Sequence, residues 1–292
     1  MGLVTLSLSV LSCSNDNGKA DGYGNFEATE ITISAENNGK LMQFNVKEGE
    51  LLKKGAFLGY IDTIPLALKH EQLVVSRAVV ASKSKGVLSQ IAVLDAQLKT
   101  AQTNKVRVEN LIADKAGTQK QLDDINGEIN VINQQIRSIE IQNAPVVNEL
   151  KSIDVQLRQI DDQISKSKII NPVKGTVLTK YAEANEITSF SKPLYKIADL
   201  STMKLRAYFS EPQLAGLKIG QEVTVKIDDA DAMQSHKGTI SWIASEAEFT
   251  PKIIQTKEER VALVYAVKVD VVNDGSLKIG MPAEVWMNTD NN

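Results

Sequence analysis

From Leu66 to Lys168 the chain carries one proline, few glycines and a stripe of apolar residues recurring in steps of three and four. Leu122, Ile125, Ile129, Ile132, Ile136 and Ile139 form one run. Val146, Leu150, Ile153, Leu157, Ile160 and Ile164 continue it, with Asn143 as the interruption. Upstream, Val80, Val87, Ile91, Leu94, Leu98, Ala101, Val108 and Ile112 keep the same spacing, broken by Ser84 and Lys105. This period puts a narrow apolar stripe on each of two helices, the pattern of a coiled-coil seam. Gly117 is the midpoint of the segment, and Thr118 with Gln121 makes the S/T-x-x-Q box of a helix start. The spacing predicts an antiparallel coiled-coil hairpin over 66–168 with its tip at 116–118. Arms of about 50 residues rising about 1.5 Å each would reach about 75 Å, far more than a small domain needs for its own core. Pro145 should cost about 3 kcal/mol inside a regular helix and lies level with Ser84 and Gly86. A kink or soft point is expected there, as a functional flexure or as a tolerated defect.

The segments flanking the hairpin resemble each other. Residues 39–61 and 175–197 align without gaps at a constant offset, Gly39 to Gly175. Leu41 then matches Val177, Glu50 matches Glu186, Leu51 matches Ile187, Leu58 matches Leu194 and Ile61 matches Ile197. Asn185 falls opposite Gly49, and both residues tolerate a left-handed turn. Short apolar alternations broken by such turns read as β-hairpins. Neither unit can bury a core alone, so the two are expected to pair into one small β-sandwich, unless the likeness is chance.

After Leu200 the pattern is β again. Strands are expected at Met203–Phe209, Glu222–Ile227, Gly238–Ala244, Val261–Val272 and Ala283–Met287, separated by turn residues. Ser210-Glu211-Pro212-Gln213 opens a short helix. Several strands and one helix suggest a small closed barrel, because closure removes exposed edges. Glu27–Ala35 should add a strand. The fold class is therefore α+β: a split β-sandwich with an inserted helical hairpin, followed by a β-barrel. The expected boundaries are 1–25 for signal and flexible linker, 26–65 with 169–199 for the sandwich (its N-terminal strand partly in the barrel), 66–168 for the hairpin, 200–288 for the barrel and 289–292 for a tail.

Composition removes several functions. Aromatics are 5% of residues and the formal net charge is -3, with no strongly basic stretch, so nucleic acid is not an expected partner. Two histidines, His70 and His236, and a single cysteine leave little for a soft-metal site, and both histidines read as surface residues. No GxSxG, HExxH, P-loop or GxGxxG motif occurs, and the acidic pairs Asp123-Asp124 and Asp161-Asp162 read as solvated charge. An enzyme is not expected, nor any cofactor.

Residues 2–12 are uncharged and mostly apolar, too short to span a bilayer but suited to the core of a secretory signal. Val10-Leu11-Ser12-Cys13 resembles a bacterial lipobox, which would make Cys13 the lipidated first residue of a mature lipoprotein. No Lys or Arg precedes the apolar run, a departure from that pattern. The competing reading is a buried strand with an incidental cysteine.

This order of parts resembles the HlyD-type membrane fusion proteins, the periplasmic adaptors of efflux and secretion pumps, over about residues 25–288. The sandwich looks like a lipoyl or biotinyl carrier domain, with Val46-Lys47-Glu48-Gly49 and Ile170-Asn171-Pro172-Val173-Lys174-Gly175 in family-like places. The hairpin replaces the turn that would hold a carrier's modified lysine, so a swinging prosthetic arm is not expected. Ala247–Pro251 through Gln255–Arg260 to Leu263-Val264-Tyr265 is similar to adaptors of ABC-type exporters, and Leu277–Ala283 closes the domain in the family manner. Arg107, Leu111 and Thr118 match the tip motif by which these adaptors meet TolC-type outer-membrane channels, although Thr118 also serves as a cap.

The resemblance implies an adaptor linking an inner-membrane transporter, ABC-type favoured, to a TolC-like channel. It implies a trimer or hexamer in the periplasm, held at the inner membrane by lipid on Cys13. The short stretch after Glu284–Met287 leaves little room for the extra membrane-proximal domain of adaptors that serve proton-driven pumps. A lipoprotein coiled-coil scaffold with a different envelope partner is the alternative, and a lipoylated or biotinylated carrier is a second rival.

Overall fold

A computed structural model describes residues 20–228, 233–249 and 263–287. Cys13 and residues 250–262 of the barrel motif lie outside them.

The hairpin is two helices, α1 (Ile64–Ala113) and α2 (Gln119–Lys166), packed on each other. The first arm starts ahead of the expected Leu66: α1 begins at Ile64, where Pro65 in the first turn needs no amide donor and Asp62 Oδ1 accepts from the Ile64 N–H at 2.9 Å. α2 continues as one helix through Pro145. The apolar stripe is the shielded face, with Val80, Ala101, Ile132, Ile153 and Ile160 buried at its centre. Arg77 pairs with Asp154 at 2.6 Å and His70 lies 3.5 Å from Asp161, two contacts placed symmetrically about Lys115 and Ala116. Exposed pairs of this kind contribute little stability, about 0–1 kcal/mol, but they mark the register. That register sets Gly86 opposite Pro145, and the buried Asn143 Oδ1 nearby has no hydrogen-bond partner.

Two sheets of four strands form the sandwich. One has β2 (Glu30–Ser34), β9 (Pro193–Ala198), β7 (Gly175–Lys180) and β4 (Leu51–Leu52) in that order; the other has β6 (Lys168–Ile170), β5 (Phe57–Ile61), β3 (Gly39–Phe44) and β8 (Ile187–Thr188). Each sheet mixes strands from before and after the hairpin. The repeat survives as a pseudo-twofold exchange of backbone hydrogen bonds. Leu41 N–H donates to the Glu186 carbonyl (2.8 Å) as Val177 N–H donates to that of Glu50 (2.9 Å). Asn185 N–H reaches Leu41 and Gly49 N–H reaches Val177; Ser191 N–H reaches Ala35 and Gly55 N–H reaches Asn171. Both members of each turn pair hold a left-handed backbone: Gly49 (φ 81) with Asn185 (φ 77), and Gly55 (φ 82) with Ser191 (φ 66). The core joins Leu41, Phe44, Leu58 and Ile61 to Val177, Leu194, Tyr195 and Ile197.

At the root of the hairpin, Asn171 is fully buried and fully bonded. Its Nδ2 donates to the carbonyls of Lys53 (3.0 Å) and Val173 (2.5 Å), and its Oδ1 accepts from the Tyr195 hydroxyl (2.9 Å). Burial pushes the Tyr195 phenol well above its ordinary pKa, so it stays a donor. Asn37 Nδ2 ties the sandwich to the end of α2 through the Gln163 carbonyl (2.7 Å) and Ser167 Oγ (3.0 Å).

The barrel closes. β1 (Gly22–Glu27), β15 (Pro282–Met287), β11 (Glu222–Ile227), β12 (Gln234–Ile243), β14 (Leu263–Val272) and β10 (Thr202–Ser210) form an antiparallel ring, completed by β10 pairing with both β14 and β1. β10 alternates strictly, burying Met203, Leu205, Ala207 and Phe209. The short helix α3 (Glu211–Leu214) starts at the Ser210–Gln213 box, and β13 (Glu248–Phe249) lies on the edge of β14. Two expectations shift. Residues 22–25, read as linker, are already strand β1; Gly22 and Gly24 hide this because glycine weakens strand propensity. A Cβ at Gly24 would stand 2.0 Å from the Arg206 carbonyl oxygen, so only glycine lets β1 lie this close to β10. His236 is partly buried rather than a surface residue, because it shares a face of β12 with the buried Gly238 and Ile240, and its Nε2 is enclosed without a partner.

Candidate functional site at the hairpin tip

The last turn of α1 and the first of α2 build the tip. Asp114 ends α1, and Lys115 takes the left-handed conformation (φ 58). Lys115 N–H donates to the Ile112 carbonyl at 3.0 Å and Ala116 N–H to that of Leu111 at 2.8 Å. This nested pair satisfies carbonyls that the helix end would otherwise leave free. The left-handed residue of the tip is Lys115. A Cβ on Gly117 would approach Ile112 Cγ1 to 3.0 Å and its amide nitrogen to 3.1 Å, so glycine is used there for close passage over the end of α1. Nothing in the local sequence marks Lys115, since lysine has no preference for that conformation.

Thr118 caps α2. Its Oγ1 accepts from the Gln121 N–H at 3.4 Å, and Gln121 Oε1 accepts from the Thr118 N–H at 2.9 Å and from Oγ1 at 3.2 Å. Arg107 and Leu111 sit one turn apart on the same face of α1, both exposed. Arg107 spends one contact on Asn104 Oδ1 at 3.2 Å, leaving most of its guanidinium donors to solvent. Leu111 is 41% exposed, although it follows the shielded Val108 and precedes Ile112. The tip thus presents an apolar knob beside a planar cation, and a hydroxyl already committed to its own helix. Such a surface can dock; it holds no group set up for bond making.

No family model matches the chain. It is 26% identical over 288 residues to a UPF0194 membrane protein from the asrC 5' region of Acidithiobacillus ferridurans, covering 90% of this chain and 85% of that one. It is 27% identical over 288 residues to UPF0194 membrane protein YE2891 of Yersinia enterocolitica, covering 90% and 88%. Among solved structures, MacA of Actinobacillus actinomycetemcomitans superposes with a TM-score of 0.58 at 20% identity, over 90% of this chain and 76% of that one. The chain has the fold of MacA.

Within this MacA fold, α1 has a second apolar stripe that α2 does not cover. Leu68, Val75, Val79 and Val93 recur at helical spacing and are 62%, 59%, 54% and 58% exposed. Among the described residues no group of three or more His, Cys, Asp or Glu side chains could hold a metal ion, and no helix is long and apolar enough to cross a membrane.

Proposed function

We propose that the chain is the periplasmic adaptor of a tripartite export system, joining an inner-membrane transporter to a TolC-like outer-membrane channel through the hairpin tip. One observation carries the reading: a 50-residue helix and its 48-residue partner pack on each other along their length and end in the exposed pair Arg107 and Leu111. At about 1.5 Å per residue the rod reaches about 75 Å from the sandwich, a span suited to bridging and not to enclosing a site. Arg107 would donate to carbonyls or carboxylates of the channel, and Leu111 would fill a groove between its helices. A single hairpin encloses nothing, so a conduit requires several copies, a trimer or hexamer. The uncovered stripe of Leu68, Val75, Val79 and Val93 supports side-by-side packing of hairpins. An ABC-type exporter is the favoured inner-membrane partner, from the similarity of residues 247–265 to such adaptors. Lipid on Cys13 would supply the attachment to the inner membrane. The relatives named as membrane proteins support an anchor of some kind. The energy of transport would come from the partner.

Arg107→Ala and Leu111→Ala test the docking role. Each should reduce copurification of the outer-membrane channel at least tenfold and abolish export, with the thermal unfolding midpoint unchanged. Unchanged export in both variants overturns the proposal in favour of a scaffold for another envelope partner. Thr118→Ala is a poorer probe, because loss of the cap alone removes about 1 kcal/mol from α2.

A further inference from the structure

At the barrel end remote from the sandwich, the described residues leave three large apolar side chains more than half exposed. Both connections to the sandwich leave from the other end, where β1 finishes at Glu27 and β10 begins at Thr202. At the remote end β1 begins, and β10 and β15 finish. There Phe249 and Leu263 are cross-strand partners one step beyond the pairing of Ser210 with Val264, and they are 76% and 55% exposed. Ile219, in the turn before β11, is 69% exposed, whereas Leu217 beside it is buried in the barrel core with Leu214 packed against that core. The barrel mouth is thus already plugged, and the exposed trio adds nothing to its core.

The described residues also begin at this end. Ala20 is buried, the Asp21 N–H donates to the Val285 carbonyl at 2.9 Å, and Asp21 Oδ2 accepts from the Met287 N–H at 2.7 Å. Cys13 precedes Ala20 by seven positions. A fully extended chain spans at most about 3.3–3.6 Å per residue, so the leash is at most about 25 Å. Lipid on Cys13 would therefore keep this end within about 25 Å of the leaflet. Charged residues on its described connecting segments, Asp21, Glu211, Lys218, Glu222, Glu246 and Glu248, have carboxylates in excess, so attraction to anionic headgroups is not the driving force. Scattered apolar tips on a closed end suit shallow burial among headgroups and upper acyl chains.

We propose that Ile219, Phe249 and Leu263 enter the lipid surface at which Cys13 is anchored, giving the barrel a second point of attachment. This rests on the lipid-anchor reading of Cys13. A single tether leaves the rod free to tilt; a second apolar contact holds the barrel axis, and with it the hairpin, toward the opposite membrane.

Photo-crosslinking tests it on the full chain in native membrane vesicles. The photoreactive residue p-benzoylphenylalanine replaces Ile219, Phe249 or Leu263, or, as the control at the other end, the exposed Lys278. The expected result is phospholipid adducts at all three positions, at least fivefold above the yield at 278. Equal yields at the two ends, no lipid adducts, or adducts only to a transporter protein overturn the proposal. The intact mass of the same samples reads Cys13 independently. Acylated Cys13 without lipid adducts removes the barrel contact alone, and lipid adducts with an unmodified Cys13 remove the anchor alone.

Discussion

Replacing Asn171 by alanine should loosen the sandwich while leaving the barrel intact. The side chain makes three hydrogen bonds in a site without solvent exposure, and it joins the Lys53 carbonyl of the first half to Val173 and Tyr195 of the second. At about 1 kcal/mol net for each bond the loss is about 3 kcal/mol, and stranding the Tyr195 hydroxyl and two carbonyls can only add to it. Tyr195→Phe removes one of these bonds and should cost about 1–2 kcal/mol. Because the two side chains share that bond, the double variant should fall short of the sum by about 1 kcal/mol. Native-state hydrogen exchange resolves the effect where a global melt would not. The Leu41, Gly49, Val177 and Asn185 amides bond between the two halves. Their protection should drop about a hundredfold in Asn171→Ala, the factor that 3 kcal/mol implies. Both tryptophans, Trp242 of β12 and Trp286 of β15, lie in the barrel, so their fluorescence transition should not move. A loss below about 1 kcal/mol, an equal loss of protection in barrel amides, or strict additivity in the double variant would refute the clamp.

Three further outcomes follow from local geometry. Lys115→Gly should raise hairpin stability by about 1 kcal/mol in thermal denaturation, since glycine occupies the left-handed position without the steric penalty lysine bears there. Thr188→Val should stabilise the sandwich by about 1 kcal/mol in denaturant titration: Thr188 occupies the repeat position of the buried Leu52, and its enclosed Oγ1 has no partner. The raised pKa of Tyr195 in the folded state means that its contribution is complete below the unfolded value near 10 and is lost as pH rises beyond it. Unfolding followed from pH 9 to 12 should therefore show an alkaline loss of sandwich stability that Tyr195→Phe diminishes.

The residues that could be read in advance are those whose behaviour is set by neighbours in sequence. The three-and-four spacing from Val80 to Ile164 and the Thr118–Gln121 box specified the hairpin, because helix period and capping act within a few residues. The match of Leu41 to Val177 and of Gly49 to Asn185 foretold two pairing halves, because equal patterns make equal edges and turns. Arg107 and Leu111 were singled out by the resemblance to the adaptor tip motif, and the regular helix then sets their height and face below the turn.

Tertiary structure decided what depends on surfaces brought together from far apart. The N-terminal strand was expected partly in the barrel, but its start at Gly22 was hidden in a glycine-rich stretch, and the open edges of β10 and β15 select it. Lys115 bears the left-handed turn because the exit of α1 must meet the entry of α2, a demand no lysine announces. The apolar trio at the barrel mouth also emerges only in three dimensions: Ile219, Phe249 and Leu263 look like ordinary strand and turn residues until folding exposes them at the barrel end where β1 begins. Local periodicity is written in short-range sterics and hydrogen bonding, whereas closure and exposure are properties of the whole packed chain.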